Sequence, residues 1–282
     1  MVVYKNKKVK LEIKPNKRSH FDGIFLFLHV IQTRTMDIRN YLDSTYLKTA
    51  SQANLSEAEN TVIVKNTIQE AIDCQFKLIM IRPEQVALAK GMTQKAKSKV
   101  TIGTVIDFPE GEGSLSSKLK EANEAIVNGA DDLDFVINYK AFKNGLIDEV
   151  KQQVIACSQL GLAHHKIVKW IIEVAALETH QIVQLTALIK NTIISNFLEK
   201  DFEKVFVKSS TGFYKTASGV PNGATLPTIK LMLENSFPLP VKAAGGVKTY
   251  EEALAMIQLG VKRIGTSSAK AIVTGEISNS DY

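Results

Sequence analysis

Two lysines sit inside apolar, strand-like runs: Lys208 in "KVFVKSSTGF" (204–213) and Lys242 in "LPVKAAGGVKT" (239–249). Each is followed by small residues and by glycine. Lysine is almost never fully buried without a partner. A single lysine of this kind is ordinarily explained by an aliphatic stem that carries its charged head to water. Two on consecutive predicted strands, each running into a glycine-bearing turn, point instead to a shared pocket. Two like charges about 5 Å apart repel by about 3 kcal/mol at an effective dielectric of about 20. That lowers one amine's pKa by about 2 pH units, and desolvation acts in the same direction. A lysine brought from about 10.4 to about 7.5 is roughly a quarter neutral at pH 7, against less than about 0.1% ordinarily. The neutral amine is the form that attacks a carbonyl to give a Schiff base.

Asp134 also lies inside an apolar run, "DLDFVIN" (132–138). A carboxyl there can hold the water, or shuttle the protons, that carbinolamine formation and breakdown require. "STG" (210–212), "GGV" (245–247) and "GTSS" (265–268) close three consecutive predicted strands. Glycines after strands mostly make turns. Three such segments in register, with Ser267 and Ser268 adding hydroxyl donors, form a surface for a phosphorylated substrate.

The elements that must position these residues begin at Met36. Short apolar runs at 76–81, 100–108, 132–138, 166–175, 204–210, 240–246 and 263–268 read as strands, with an eighth around "NYLDSTYL" (40–47). Several are apolar on both faces, as the strands of a covered parallel sheet must be. Helical patterns separate them. Ser56/Glu59 and Thr249/Glu252 stand at capping-box spacing, Gly129 and Gly260 stop helices, and Ile182, Leu185, Leu188 and Ile189 share one face. Eight alternating units predict an α/β fold, a single-domain TIM (β/α)8 barrel over 36–282. The alternative is an open doubly wound sheet, but no GxGxxG follows the first strand. In a barrel, Lys208, Lys242 and Asp134 would face the mouth or the interior, where active sites form.

Composition narrows the function. The chain has 282 residues, 45% hydrophobic and 23% charged, with a net charge of +6. Residues 1–35 carry the whole excess, so 36–282 is neutral and a nucleic-acid reading from overall charge loses its support. Cys74 and Cys157 form no CxxC, which fits a reducing compartment, and a cytoplasmic location is expected. The run "GIFLFLHVI" (23–31) is far short of the roughly 20 residues that span a bilayer. The five histidines show neither HxH nor HExxH spacing, so no metal or other cofactor is expected.

"LDSTYLK" (42–48), "DLDFVINY" (132–139), "IIEVAAL" (171–177), "VKSSTGF" (207–213), "VKAAGGVKT" (241–249) and "IGTSS" (264–268) together resemble the deoxyribose-phosphate aldolases, in the family's order. The resemblance implies metal-free, class I cleavage of 2-deoxy-D-ribose 5-phosphate to acetaldehyde and D-glyceraldehyde 3-phosphate in deoxyribonucleoside catabolism. It implies that Lys208 forms the Schiff base, that Lys242 depresses its pKa and assists proton transfer, and that Asp134 is the proton donor and acceptor. Thr211, Gly212, Gly245, Gly246, Gly265, Ser267 and Ser268 would hold the phosphate, with Lys248 nearby. Asp43, Thr45 and the terminal Tyr282 are further candidates for the site. Its partner is a phosphorylated sugar, without nucleic acid or membrane, and a homodimer is common among such barrels.

Three features depart from the resemblance. "NTIISNFLEKDFEK" (191–204) is long, Met80 stands where a small residue or cysteine is expected, and residues 1–35 precede an ordinary family start at Met36. The leader is expected to lie outside the fold, as a mistaken upstream start. The rival readings are another class I aldolase of the transaldolase type and a barrel that binds sugar phosphate without catalysis.

Overall fold

The computed structural model describes residues 36–275; the basic leader 1–35 and the tail 276–282, with Tyr282, lie outside the described residues. The chain divides into two units, Met1–Met36 and Asp37–Tyr282, and the barrel lies within the second. Its strands are β1 (Leu42–Thr45), β2 (Leu78–Ile81), β3 (Thr101–Ile106), β4 (Asp132–Val136), β5 (Ile167–Ile171), β6 (Val205–Lys208), β7 (Val241–Ala244) and β8 (Arg263–Thr266). They pair in parallel in chain order, and β1 pairs with β8 to close the ring. All eight fall inside the segments read as strands from the sequence, and the TIM barrel is the observed architecture.

A helix follows each strand: α1 (Glu57–Cys74), α2 (Val86–Lys95), α3 (Leu115–Asn128), α4 (Ile147–Ala163), α5 (Thr179–Asn196), α6 (Leu226–Ser236), α7 (Tyr250–Leu259) and α8 (Ala269–Thr274). The sequence sets their ends. Ser56 and Glu59 exchange hydrogen bonds at the start of α1, and Thr249 and Glu252 do so at the start of α7. Gly129 and Gly260 end α3 and α7 in the left-handed conformation. On α5, Ile182, Leu185 and Ile189 are buried and Leu188 packs half-buried beside them. Each fully buried side chain of this size contributes about 1.5–3 kcal/mol. The long 191–204 segment is taken up outside the barrel, where α5 runs on to Asn196 and a one-turn helix, Glu199–Phe202, precedes β6.

Alternation along the strands sorts side chains between two layers. On β2, Ile79 and Ile81 join the main core that the helices cover, whereas Leu78 and Met80 pack inside with Leu47 and Val105. A side chain on Gly103 would come within 2.6 Å of the Met80 Cε, so the glycine makes room for this inner layer. The ring's interior also carries charge. Asp43, Asp132, Asp134, Lys169, Lys208, Lys242 and Arg263 are all buried on β1 and β4 to β8.

Candidate active site

Adjacent parallel strands bring the charged residues into one layer. Asp134 lies beside Lys169 in the β4–β5 register, Lys208 beside Lys242 in β6–β7, and Lys242 beside Arg263 in β7–β8. Asp134 is the hub. Its Oδ2 accepts from the Nζ of both Lys208 and Lys242 at 2.9 Å, and its Oδ1 accepts from Lys169 at 2.8 Å. The two ammonium groups of Lys208 and Lys242 therefore lie within twice that distance of each other. Lys169 also pairs with Asp132 at 2.6 Å, Lys242 with Asp43 at 2.6 Å, and Arg263 with Asp43 at 2.6 Å.

This set joins four cations, Lys169, Lys208, Lys242 and Arg263, to three carboxylates, Asp43, Asp132 and Asp134. One positive charge is in excess, and buried unbalanced charge is costly, so one cation is made easier to deprotonate. Lys208 is that cation. Burial, the largest effect, lowers its pKa to about 8; Asp134 opposes the drop, and Lys242 and Lys169 add to it. Burial also works against the charge of Lys169, yet Asp132 and Asp134 hold its pKa above the ordinary value. Burial would raise Asp134, but its three lysines keep it well below the usual carboxylate range. The sequence reading placed the repulsion by Lys242 first. In the structure desolvation comes first, and an aspartate shared by both lysines tempers their repulsion.

Lys208, the last residue of β6, is the member of this network that reaches the cleft; Asp134, Lys169 and Lys242 lie beneath it, fully buried. The cleft sits at the C-terminal ends of the strands. Thr45, Thr211, Gly212 and Lys248 line it, as do Gly245, Gly246, Gly265 and Ser267. Gly245 and Gly246 have φ of 86° and 90°, a conformation that suits glycine and turns the chain sharply after β7. Asp43 lies in the ion network instead of on the cleft wall. Ser268 is buried, its N–H donating to Thr266 Oγ1 at 2.9 Å, and it does not line the cleft.

Sequence reading missed four members of this region: Asp132, Lys169, Glu173 and Arg263. Lys169 had a visible signal, since "KIVKWIIEVA" shows the same lysine inside an apolar strand that marked Lys208 and Lys242. Asp132 had one too, because two acids two residues apart share one face of a strand and need cations. Arg263 stands at a strand's first residue, where a basic side chain ordinarily reaches solvent. Glu173 lies past β5 with φ of 54°, a left-handed turn that no glycine announces.

A barrel whose desolvated lysine opens on a cleft at the strand ends has the architecture of an imine-forming TIM-barrel enzyme. Residues 41–275 match the family described as DeoC/LacD family aldolase, and the chain belongs to that family. It is 38% identical over 241 residues to the deoxyribose-phosphate aldolase of Thermococcus gammatolerans, covering 85% of this chain and 96% of that one. It is 36% identical over 248 residues to deoxyribose-phosphate aldolase 1 of Staphylococcus aureus strain MSSA476, covering 88% and 100%. Among solved structures, the aldolase QR15 superposes with a TM-score of 0.70 at 30% identity, over 85% of this chain and 96% of that one. The deoxyribose phosphate aldolase of Aeropyrum pernix, described as a unique tetrameric structure, gives 0.66 at 25% identity over 84% and 90%.

Proposed function

We propose that this chain cleaves 2-deoxy-D-ribose 5-phosphate reversibly to acetaldehyde and D-glyceraldehyde 3-phosphate, through a Schiff base on Lys208. One observation carries the assignment to Lys208: it lines the cleft with a pKa lowered to about 8, while Lys169 and Lys242 are sealed beneath. At pH 7 about a tenth of such an amine is neutral, far more than of an ordinary lysine.

The neutral Nζ adds to the C1 aldehyde of the open-chain sugar, and loss of water leaves a protonated imine. The C3 hydroxyl then gives up its proton, the C2–C3 bond breaks, and its electron pair neutralises the iminium as an enamine. Glyceraldehyde 3-phosphate departs; protonation at C2 and hydrolysis release acetaldehyde and the free amine. Asp134 Oδ2, in hydrogen-bond contact with both Lys208 and Lys242, is placed to pass protons between them and the reacting atoms. The phosphate rests against Gly212, the Gly245–Gly246 turn, Gly265 and Ser267, with Lys248 supplying positive charge.

Borohydride reduction in the presence of substrate, followed by peptide mass spectrometry, tests the reading. A substrate-dependent adduct on Lys208, lost in Lys208→Met, is expected. An adduct on another lysine would favour a transaldolase-type site, and binding without an adduct would favour a non-catalytic barrel. The same reading includes a cytoplasmic homo-oligomer. It is supported by two unbridged cysteines and by the tetrameric relative; among the described residues no helix is long and apolar enough to cross a membrane.

A further inference from the structure

Glu173 is buried at the end of β5, and among the described residues no basic side chain pairs with it. A carboxylate held that way without a cation is costly to ionise. Its hydrogen bonds allow a count of protons. Ser210 Oγ lies 2.6 Å from Glu173 Oε1 and 2.6 Å from the carbonyl oxygen of Asn222, and it accepts the Gly212 N–H at 3.0 Å. A serine hydroxyl has one hydrogen and two lone pairs. The Asn222 carbonyl only accepts, so the Ser210 hydrogen goes there. The contact to Glu173 then needs a hydrogen of its own, and Glu173 is its source. The other carboxyl oxygen, Oε2, accepts from Thr211 N–H at 3.2 Å and from the Thr211 hydroxyl, which in turn accepts from Phe213 N–H at 3.0 Å. With one proton on Oε1 every donor and acceptor in the cluster is matched. Without it, two acceptors face each other at 2.6 Å.

We propose that Glu173 is held as the neutral acid and is the positioning residue for the Ser210–Gly212 turn. It locks that turn to Asn222 across the loop between β6 and α6, and so fixes the wall of the cleft formed by Thr211 and Gly212. The inference rests on the aldolase reading for its effect on substrate. It also bears on Lys208, two residues before Ser210, because a neutral Glu173 leaves the excess positive charge of the network uncompensated. Burial pushes Glu173 up from the ordinary glutamate value; its bonds to Ser210 and Thr211, and Lys208 on β6, pull the other way. Tyr139, on the short helix Tyr139–Lys143, is another ionisable group nearby, and an ionised Glu173 would push its pKa up.

Glutamine is the isostere of the neutral acid: its amide N–H replaces the O–H toward Ser210 and its oxygen accepts from Thr211. Glu173→Ala is expected to raise KM for the phosphorylated sugar about tenfold, the loss of about one buried hydrogen bond, with a smaller change in kcat. Glu173→Gln is expected to restore KM to within about threefold and to leave the pH midpoint of Lys208 trapping where the parent has it. An ionised Glu173 predicts instead that glutamine moves that midpoint to lower pH and fails to restore KM, which overturns the proposal. An unaltered KM in Glu173→Ala overturns it as well. If the alanine variant does not fold, infrared difference spectra of the parent against Glu173→Gln decide: a protonated-carboxyl stretch at neutral pH, missing in the variant, is expected, and its absence from the parent refutes the neutral acid. Trapping of the parent tests the aldolase reading by itself, and the infrared band does not depend on its outcome.

Discussion

Asp134 gives one oxygen to two lysines, and this sharing ties the titration of Lys208 to the presence of Lys242. In Lys242→Met, Asp134 Oδ2 serves Lys208 alone and the network falls to three cations and three carboxylates, so the Lys208 pKa rises. The pH midpoint of imine trapping should move up from about 8 by about one pH unit or more, with trapping at pH 7 reduced about tenfold or more. An unmoved midpoint rejects the coupling. The depressed pKa also has a folding consequence. Between about pH 8 and the ordinary 10.5, the unfolded chain keeps a proton that folded Lys208 has lost, so stability rises with pH across that window. Urea unfolding at pH 7.5 and pH 10 should show the parent gaining up to about 3 kcal/mol relative to Lys208→Met. Lys169→Met should do the opposite at neutral pH, costing about 3–5 kcal/mol, because Asp132 and Asp134 lose a shared buried partner.

At the scale of elements, the cleft depends on two loops lying flush. Ala224 N–H donates to the carbonyls of Ala244 and Gly245, and a side chain on Gly223 would come within 2.6 Å of Gly245 backbone atoms. Gly223→Ala should therefore push the loop before α6 off the Gly245–Gly246 turn and raise KM for the phosphorylated substrate while Lys208 still forms an adduct with excess acetaldehyde. Steady-state kinetics beside trapping separates the two effects. The strands were legible because a covered parallel sheet must be apolar on both faces, and the helices because Ser56, Thr249, Gly129 and Gly260 mark their ends locally. Lys208, Lys242 and Asp134 stood out as polar residues in such runs. The hub geometry was not legible, since it depends on which strands become neighbours and on how far each is staggered. Glu173 was hidden for a related reason: its partners lie on the loop after another strand, 37 and 38 residues away.

At the scale of the molecule, the ion network closes the ring. Asp43 on β1 holds Arg263 on β8, 220 residues apart in the chain. Asp43 also grips Lys242, so first and last strands both feed the charge balance around Lys208. A chain ending after Gly260 lacks β8 and should show no substrate-dependent adduct on Lys208; adduct formation by it would separate reactivity from closure of the barrel. The timing follows from the same latch. While a ribosome is still making the protein, Lys208 emerges as an ordinary hydrated, protonated side chain, slow to react with stray aldehydes in its surroundings. It becomes a reagent when the final strand slots in beside the first, by which time walls stand around it to choose what it meets.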